Sequence, residues 1–182
     1  MPRTGRRARI APADALRGAK AERAFQAWLD SSVLPHMYVE QSRLTVPAPL
    51  RGKIKRPDYL VGIPGVGLVA FDVKAKTIYR GNLLFDLPEV QKLRTFARLF
   101  HLTVYFACLD PLGSPDGLWV RLDQLDGREV TQRRYGPVVA FPWKTHCLSH
   151  STIRFTKHSY ELSPCRKPPP AVKSNCCELL IG

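Results

Sequence analysis

The sequence predicts an α/β domain built on a mixed sheet, and three observations carry that expectation. Residues 14–31 are Ala-rich with apolar residues at three-and-four spacing, which is helical. Residues 57–63 and 67–76 are rich in Val, Leu and Ile and flank the turn Ile63-Pro64-Gly65-Val66-Gly67, which reads as a hairpin. Residues 87–101 form a second amphipathic stretch, followed at once by the nearly all-apolar LTVYFAC of 102–108. Helix, strands, helix, strand in that alternation is the order of an α/β fold.

Residues 1–12 are Arg-rich and read as a basic arm. Asp14 can cap the first helix, whose stripe is expected to hold Ala15, Ala19, Glu22, Phe25 and Leu29. Glu22 is the odd member, an acid in an apolar stripe: it either points at a site or marks a stripe rotated slightly from this one. Residues 37–46 are expected as a first strand, ahead of a Pro- and Lys/Arg-rich connector, PAPLRGKIKRP. Strands at 57–63 and 67–76 follow. The second helix, 87–101, carries Val90, Leu93, Ala97 and Phe100 on its apolar side. Residues 102–108 and 117–122 are further strands, and 151–163 one or two more. From Pro164 the chain reads as a Pro- and Cys-containing tail. The expected organisation is therefore an arm at 1–13, a domain at 14–163 and a tail at 164–182.

Charge restricts the function classes. The 182 residues include 28 Lys and Arg against 15 Asp and Glu, a formal net charge of +13. That balance favours a polyanionic partner. No apolar run reaches the roughly 18 residues a membrane span needs, so a membrane partner is not expected. Five irregularly spaced cysteines do not make a disulfide framework, and the N-terminal residues lack the apolar stretch of a secretory signal; a reduced, cytoplasmic setting is expected, nucleoid-associated in a bacterium. The segment KTHCLSH, with His146, Cys147 and His150, lacks a second ligand pair at zinc-finger spacing. Trp28, Trp119 and Trp143 are expected in or near the core.

The chemistry is concentrated on the hairpin. Asp58 opens one strand and Asp72 closes the next, and their midpoint is Gly65 in the turn. Pairing symmetric about that glycine makes Asp58 and Asp72 cross-strand neighbours, with Cβ atoms about 5 Å apart. Lys74 shares their face, whereas Val69, Phe71 and Val73 occupy the other. Two carboxylates at roughly 4 Å repel by about 4 kcal/mol at an effective dielectric near 20. A divalent cation between them relieves this, and oxygen ligands that leave waters in place suit Mg²⁺ or Mn²⁺. Taken singly, Asp58 reads better as a polar strand start in solvent, and Asp72 and Lys74 as an exposed salt bridge or strand-end pair worth little.

The stretch RPDYLVGIPGVGLVAFDVKAK resembles the PD…(D/E)xK signature of the PD-(D/E)XK, or restriction-endonuclease-like, nuclease superfamily: Pro57-Asp58 matches the PD and Asp72-Val73-Lys74 the DxK. The resemblance covers roughly residues 14–108. It implies a restriction-endonuclease-like αβββαβ core with a central mixed sheet flanked by helices. It also implies a Mg²⁺- or Mn²⁺-dependent endodeoxyribonuclease, with Asp58 and Asp72 as metal ligands and Lys74 beside the attacking water. Glu22 matches a first-helix Glu that many members use at the metal, and Gln91 a Gln early in the second helix. Where one subgroup has a Tyr four positions after that Gln, this chain has Thr95.

Arg51, Lys53, Lys55 and Arg56, just upstream of Asp58, together with Lys76, Arg80, Arg94 and Arg98, are the candidate phosphate-binding residues. The expected partner is DNA, with a homodimer or a larger protein complex implied where both strands are cut. The rival expectation is a nucleic-acid-binding scaffold subunit that keeps the nuclease fold and acts through a partner.

Overall fold

The computed structural model describes residues 12–42, 45–109 and 117–142. The basic arm up to residue 11, the segment KTHCLSH, the strands expected at 151–163, Trp143 and the tail lie outside the described residues.

The first helix, α1 (Pro12–Ser32), packs on a five-stranded sheet formed by β1 (His36–Tyr38), β2 (Tyr59–Ile63), β3 (Gly67–Ala75), β5 (Thr103–Leu109) and β6 (Gly117–Arg121), in that spatial order. Between β3 and β5 the chain makes β4 (Asn82–Asp86) and the second helix, α2 (Leu87–Phe100). After β6 come β7 (Val130–Arg133) and β8 (Gly136–Pro142), which join β4 in a second, antiparallel sheet of order β4-β8-β7. The β3–β5 pairing is parallel and the other pairings of the five-stranded sheet are antiparallel, so that sheet is mixed. The fold is α/β with a central mixed sheet flanked by helices, and its first elements follow the αβββαβ order once β4 is set aside as part of the second sheet.

Period-2 alternation sorts the central sheet's side chains into two layers. Tyr59, Val61, Val69, Phe71, Val73, Ala107 and Trp119 face α1, where Ala21, Phe25 and Leu29 meet them. Ala70, Val104, Phe106, Cys108, Leu118 and Val120 face the other way, toward Val90, Leu93 and Phe96 of α2 and Leu83, Phe85, Val139 and Phe141 of the second sheet. Phe25, Phe71, Phe85, Phe106 and Phe141 are fully buried, each contributing on the order of 2–3 kcal/mol through its apolar area alone.

Several sequence expectations change. The buried stripe of α1 is Ala21, Phe25, Leu29 and Ser32; Ala15 and Ala19 are exposed, so the stripe is rotated and Glu22 is only half-buried beside it. The strand expected at 37–46 stops at Tyr38. Polar side chains there satisfy the backbone locally: Gln41 Nε2 donates to the carbonyls of Val39 and Pro57, and Glu40 Oε1 accepts from the Ser42 N–H. On α2, Phe96 is buried in place of Phe100, which is half exposed and stacks on it at 4.4 Å between ring centroids. Trp119 is buried and Trp28 packs edge-on against it at 5.3 Å. The second sheet was not expected at all.

Candidate active site on the central hairpin

The hairpin closes about Gly65. Tyr59 pairs with Phe71, Val61 with Val69 and Ile63 with Gly67. Gly65 has φ +75°, a left-handed conformation that a glycine adopts without strain. One step past the last paired residues Asp58 comes close enough to Asp72 to feel its charge. There the backbone ladder ends. Pro57 has no N–H and its carbonyl is taken by Gln41, while the Asp58 N–H still donates to the Phe71 carbonyl at 2.8 Å. The Asp58 carboxylate then replaces the missing backbone acceptor, taking the Val73 N–H on Oδ2 at 2.7 Å. Asp58 thus has a structural task, holding the hairpin past its proline, as well as a place in the site.

Asp72 is fully buried, and Asp58 nearly so. Lys55 Nζ reaches Asp72 Oδ1 at 2.5 Å and Lys74 Nζ reaches Asp72 Oδ2 at 2.6 Å. Both lysines also meet Glu89 Oε1, at 2.6 and 2.9 Å. Asp72, Glu89, Lys55 and Lys74 therefore form a neutral four-membered cluster, with Asp58 as a fifth, uncompensated member. Its carboxyl is pushed up to about 7, first by burial and then by the Asp72 charge, although Lys55, Lys74 and the Val73 N–H pull the other way. Glu89 moves in the opposite sense. Burial would raise it, but Lys74 and Lys55 outweigh burial and hold it at about 2. Lys74 loses stability to burial and regains more from Asp72 and Glu89, so its ammonium is held well above the usual lysine range.

The donor set bears on the implied cation. Lys55 and Lys74 each cover one Asp72 oxygen, at 2.5 and 2.6 Å, so a cation on Asp72 would share these oxygens with the ammonium groups through their remaining lone pairs. Two neighbouring carboxylates, one fully buried and one destabilised by the other, fit a hard divalent ion that keeps several waters and takes one or two protein carboxylates. Among the described residues no group of three or more His, Cys, Asp or Glu gathers at metal-binding spacing. The expected trio of Glu22, Asp58 and Asp72 is thus not assembled. The rotated α1 stripe gives the reason: α1 covers the sheet face that holds Phe71 and Val73, whereas Asp72 and Lys74 lie on the other. Glu22 is near Tyr38 and Tyr59, whose phenols are raised by burial, then by Glu22 and by Asp58.

Glu89 is the site residue that sequence reasoning missed. It lies in the first turn of α2, where an acid is ordinarily read as complementing the helix dipole. Gln91, the residue expected there, is exposed, and its carbonyl accepts from Thr95 Oγ1. Lys55 is drawn into the site because its loop is tied down: its N–H donates to the Lys92 carbonyl of α2 at 3.3 Å.

The phosphate-binding candidates divide. Lys55 is engaged in the cluster. Lys76 donates to the Leu84 carbonyl and lies 4.9 Å from the centre of the Phe85 ring, with its ammonium disfavoured by burial. Arg56 is pinned to Thr45 and Ser42, and Arg94 to Asp126. Arg51, Lys53, Arg80 and Arg98 are exposed. No helix among the described residues is long and apolar enough to cross a membrane.

No protein-family model matches the chain, and no curated protein matches it. Among solved structures it is similar to Hjc, a Holliday junction resolvase from the archaeal hyperthermophile Archaeoglobus fulgidus, at 20% identity and a TM-score of 0.45, over 69% of this chain and 88% of that one.

Proposed function

We propose that the chain is a Mg²⁺- or Mn²⁺-dependent DNA endonuclease that hydrolyses phosphodiester bonds. The observation that supports this reading is the juxtaposition of two buried carboxylates at the end of the hairpin, with the Asp72 charge raising Asp58 and Lys74 Nζ 2.6 Å from Asp72 Oδ2. Asp58 and Asp72 would hold the cation. When bound, it would supply a water of lowered pKa and a positive charge beside the phosphate. Lys74, kept cationic by Asp72 and Glu89, would orient the attacking water and stabilise charge on the phosphoryl oxygens. Glu89 would hold the two lysines in place from α2. Glu22 and Gln91 enter as residues to be tested: the first as a further ligand, the second as a water-positioning group. DNA as substrate, and a dimer or larger complex as the working form, follow from the resemblance in the hairpin motif together with the charge of +13.

One observation favours a second reading. Lys55 and Lys74 balance the charges of Asp72 and Glu89, which is what a nuclease-like scaffold subunit would show. The two readings separate in one experiment. The purified chain is incubated with plasmid, branched and single-stranded DNA in Mg²⁺, Mn²⁺ or EDTA, beside Asp72→Ala and Lys74→Ala. The nuclease reading expects metal-dependent cleavage that both variants lose. Cleavage unchanged in both sinks the site assignment, and no cleavage of any substrate favours the scaffold.

A further inference from the structure

The outer face of the second sheet is a basic concavity that the cluster on the hairpin does not use. Leu83 and Phe85 of β4 and Val139 and Phe141 of β8 point into the core, so Asn82, Leu84, Ala140 and Pro142 floor the opposite face. The loop between β3 and β4 contributes Tyr79 and Arg80 to its wall, and the segment entering β7 contributes Arg128, with Arg133 at the end of β7. The space enclosed is about 540 Å³. Among the described lining residues the one carboxylate is Glu129, set against three arginines.

The arginines are ordered by aromatic rings. The Arg133 guanidinium lies 4.4 Å from the centre of the Tyr79 ring and that of Arg80 lies 5.5 Å from the same ring; Arg128 lies 4.6 Å from the Phe141 ring. Stacking of this kind fixes a guanidinium plane while leaving edge N–H groups to bond elsewhere. Tyr79 and its neighbour Ile78 remain 41% and 47% exposed. Beyond Arg133, the β7–β8 turn carries Arg134 and Tyr135, the latter 84% exposed. An arginine-walled trough with apolar and aromatic side chains open to solvent matches an unpaired polynucleotide, which offers phosphates to the arginines and bare base faces to the rings. A duplex presents its phosphates and hides its base faces, so the exposed Ile78, Tyr79 and Tyr135 would have nothing to cover them.

We infer that the outer face of the β4-β8-β7 sheet binds a single-stranded polynucleotide through Arg80, Arg128 and Arg133, with Tyr79 ordering Arg80 and Arg133 and a base stacked on the exposed Tyr135. This deepens the nuclease reading by naming the form of nucleic acid the chain holds, and rests on it for the link to cleavage but not for the binding itself.

The test is fluorescence anisotropy with labelled 20-nucleotide single-stranded DNA, the same sequence as RNA, and the duplex, all in EDTA so that no strand is cut. The variants are Arg80→Asn with Arg133→Gln, Tyr79→Leu and Tyr135→Ala, with Arg23→Gln on the exposed side of α1 as control. Asn is used at 80 because that residue has φ +47°, which Asn tolerates. Circular dichroism establishes that each variant is folded, and Tyr135→Ala, at an exposed turn, serves if the others are not. The expected result is tighter binding of single strands than of duplex, weakened about tenfold by the double arginine variant and several-fold by each tyrosine variant, with the control unchanged. The salt slope should fall by roughly 0.7 per arginine removed. Equal binding of the DNA and RNA strands assigns recognition to the shared backbone and bases, and a preference assigns it to one sugar; either supports the inference. Duplex bound as tightly as single strands, or variant affinities within twofold of wild type, overturns it. A chain that binds through these residues and cleaves nothing loses the nuclease reading alone. One that cleaves while its binding ignores them loses this inference alone.

Discussion

The two faces of β3 are built from one run of sequence and obey opposite physics. On the α1 side Val69, Phe71 and Val73 pack against Phe25 and Leu29 in an apolar cluster, with Glu22 at its margin. On the other side Ala70 begins in the apolar core, and the same alternation then brings Asp72, Lys74 and Lys76 out of it in succession. The first face is held by area, which tolerates a change of shape at moderate cost. The second is held by charge balance, where the loss of one member strands the others. The lesson is that a single strand can carry a domain's stability on one side and a reactive, marginally compensated site on the other, because the period of two keeps them apart.

The largest expected effect tests that separation directly. Asp72→Ala should lower metal-dependent cleavage by about three orders of magnitude or more, by the scale of losses seen when a transition-state charge stabiliser is removed. Phe71→Ala, one residue away on the opposite face, should instead cost about 3–5 kcal/mol of stability and leave the cleavage rate per folded molecule within a few-fold. Initial rates measured with urea denaturation on the same samples decide the matter. If Phe71→Ala abolishes the rate while still folded, or Asp72→Ala retains it, the two faces are not functionally separate.

The charged face has its own internal contrast, between Asp58 and Glu89. The Asp58 carboxyl, at about 7, binds a proton more readily in the folded chain than in the unfolded one. A carboxyl raised on folding makes the folded state lose stability as pH rises from about 4 through 7, by roughly 3 kcal/mol. Glu89, at about 2, works the other way. Its contribution is present above the unfolded value near 4.5 and is lost as pH falls toward 2. In EDTA, thermal unfolding from pH 4 to 8 should therefore show stability declining toward neutrality. Asp58→Asn should flatten that decline, since the amide oxygen can still accept the Val73 N–H. Mg²⁺ should restore stability at pH 7 to the wild type and not to Asp58→Asn. A flat wild-type profile, or an equal Mg²⁺ response in both proteins, sinks the pairing of Asp58 with a cation.

How far the sequence revealed this arrangement follows from the range of the interactions. The register about Gly65 is local, set by a Pro-Gly turn and two alternating strands, and Asp58, Asp72 and Lys74 could be placed on one face from spacing alone. The helix at 87–101 was equally legible from its period. Lys55 and Glu89 were not, because they meet across 34 residues and each has a bland local reading, as loop charge and as helix-dipole partner. The second sheet was hidden for the same reason. β4 and β8 pair Asn82 with Pro142, far apart in the chain, and neither run is long enough to announce itself without its partner. Glu22 lies beside the buried stripe because that stripe keeps Phe25 and Leu29 but continues through Ala21 and Ser32, a rotation smaller than one residue's step round the helix.

Glu22 and Gln91 give the smallest expected effects and the sharpest remaining contrast with Asp72. Glu22 stands by Tyr38 and Tyr59 on the α1 side, and Gln91 is exposed on α2. Neither belongs to the charge cluster around Asp72. Glu22→Gln and Gln91→Ala should each change stability by less than about 0.5 kcal/mol, as surface substitutions commonly do. If the cation needs only Asp58 and Asp72, Glu22→Gln should leave the Mg²⁺ concentration for half-maximal cleavage within about threefold, and Gln91→Ala should leave kcat within the same range. A Mg²⁺ requirement raised tenfold or more in Glu22→Gln would show that α1 closes on the site when metal and DNA are bound. The two faces of β3 would then meet at its end, with Glu22 reaching round the sheet edge to the carboxylates that the folded chain alone keeps apart from it.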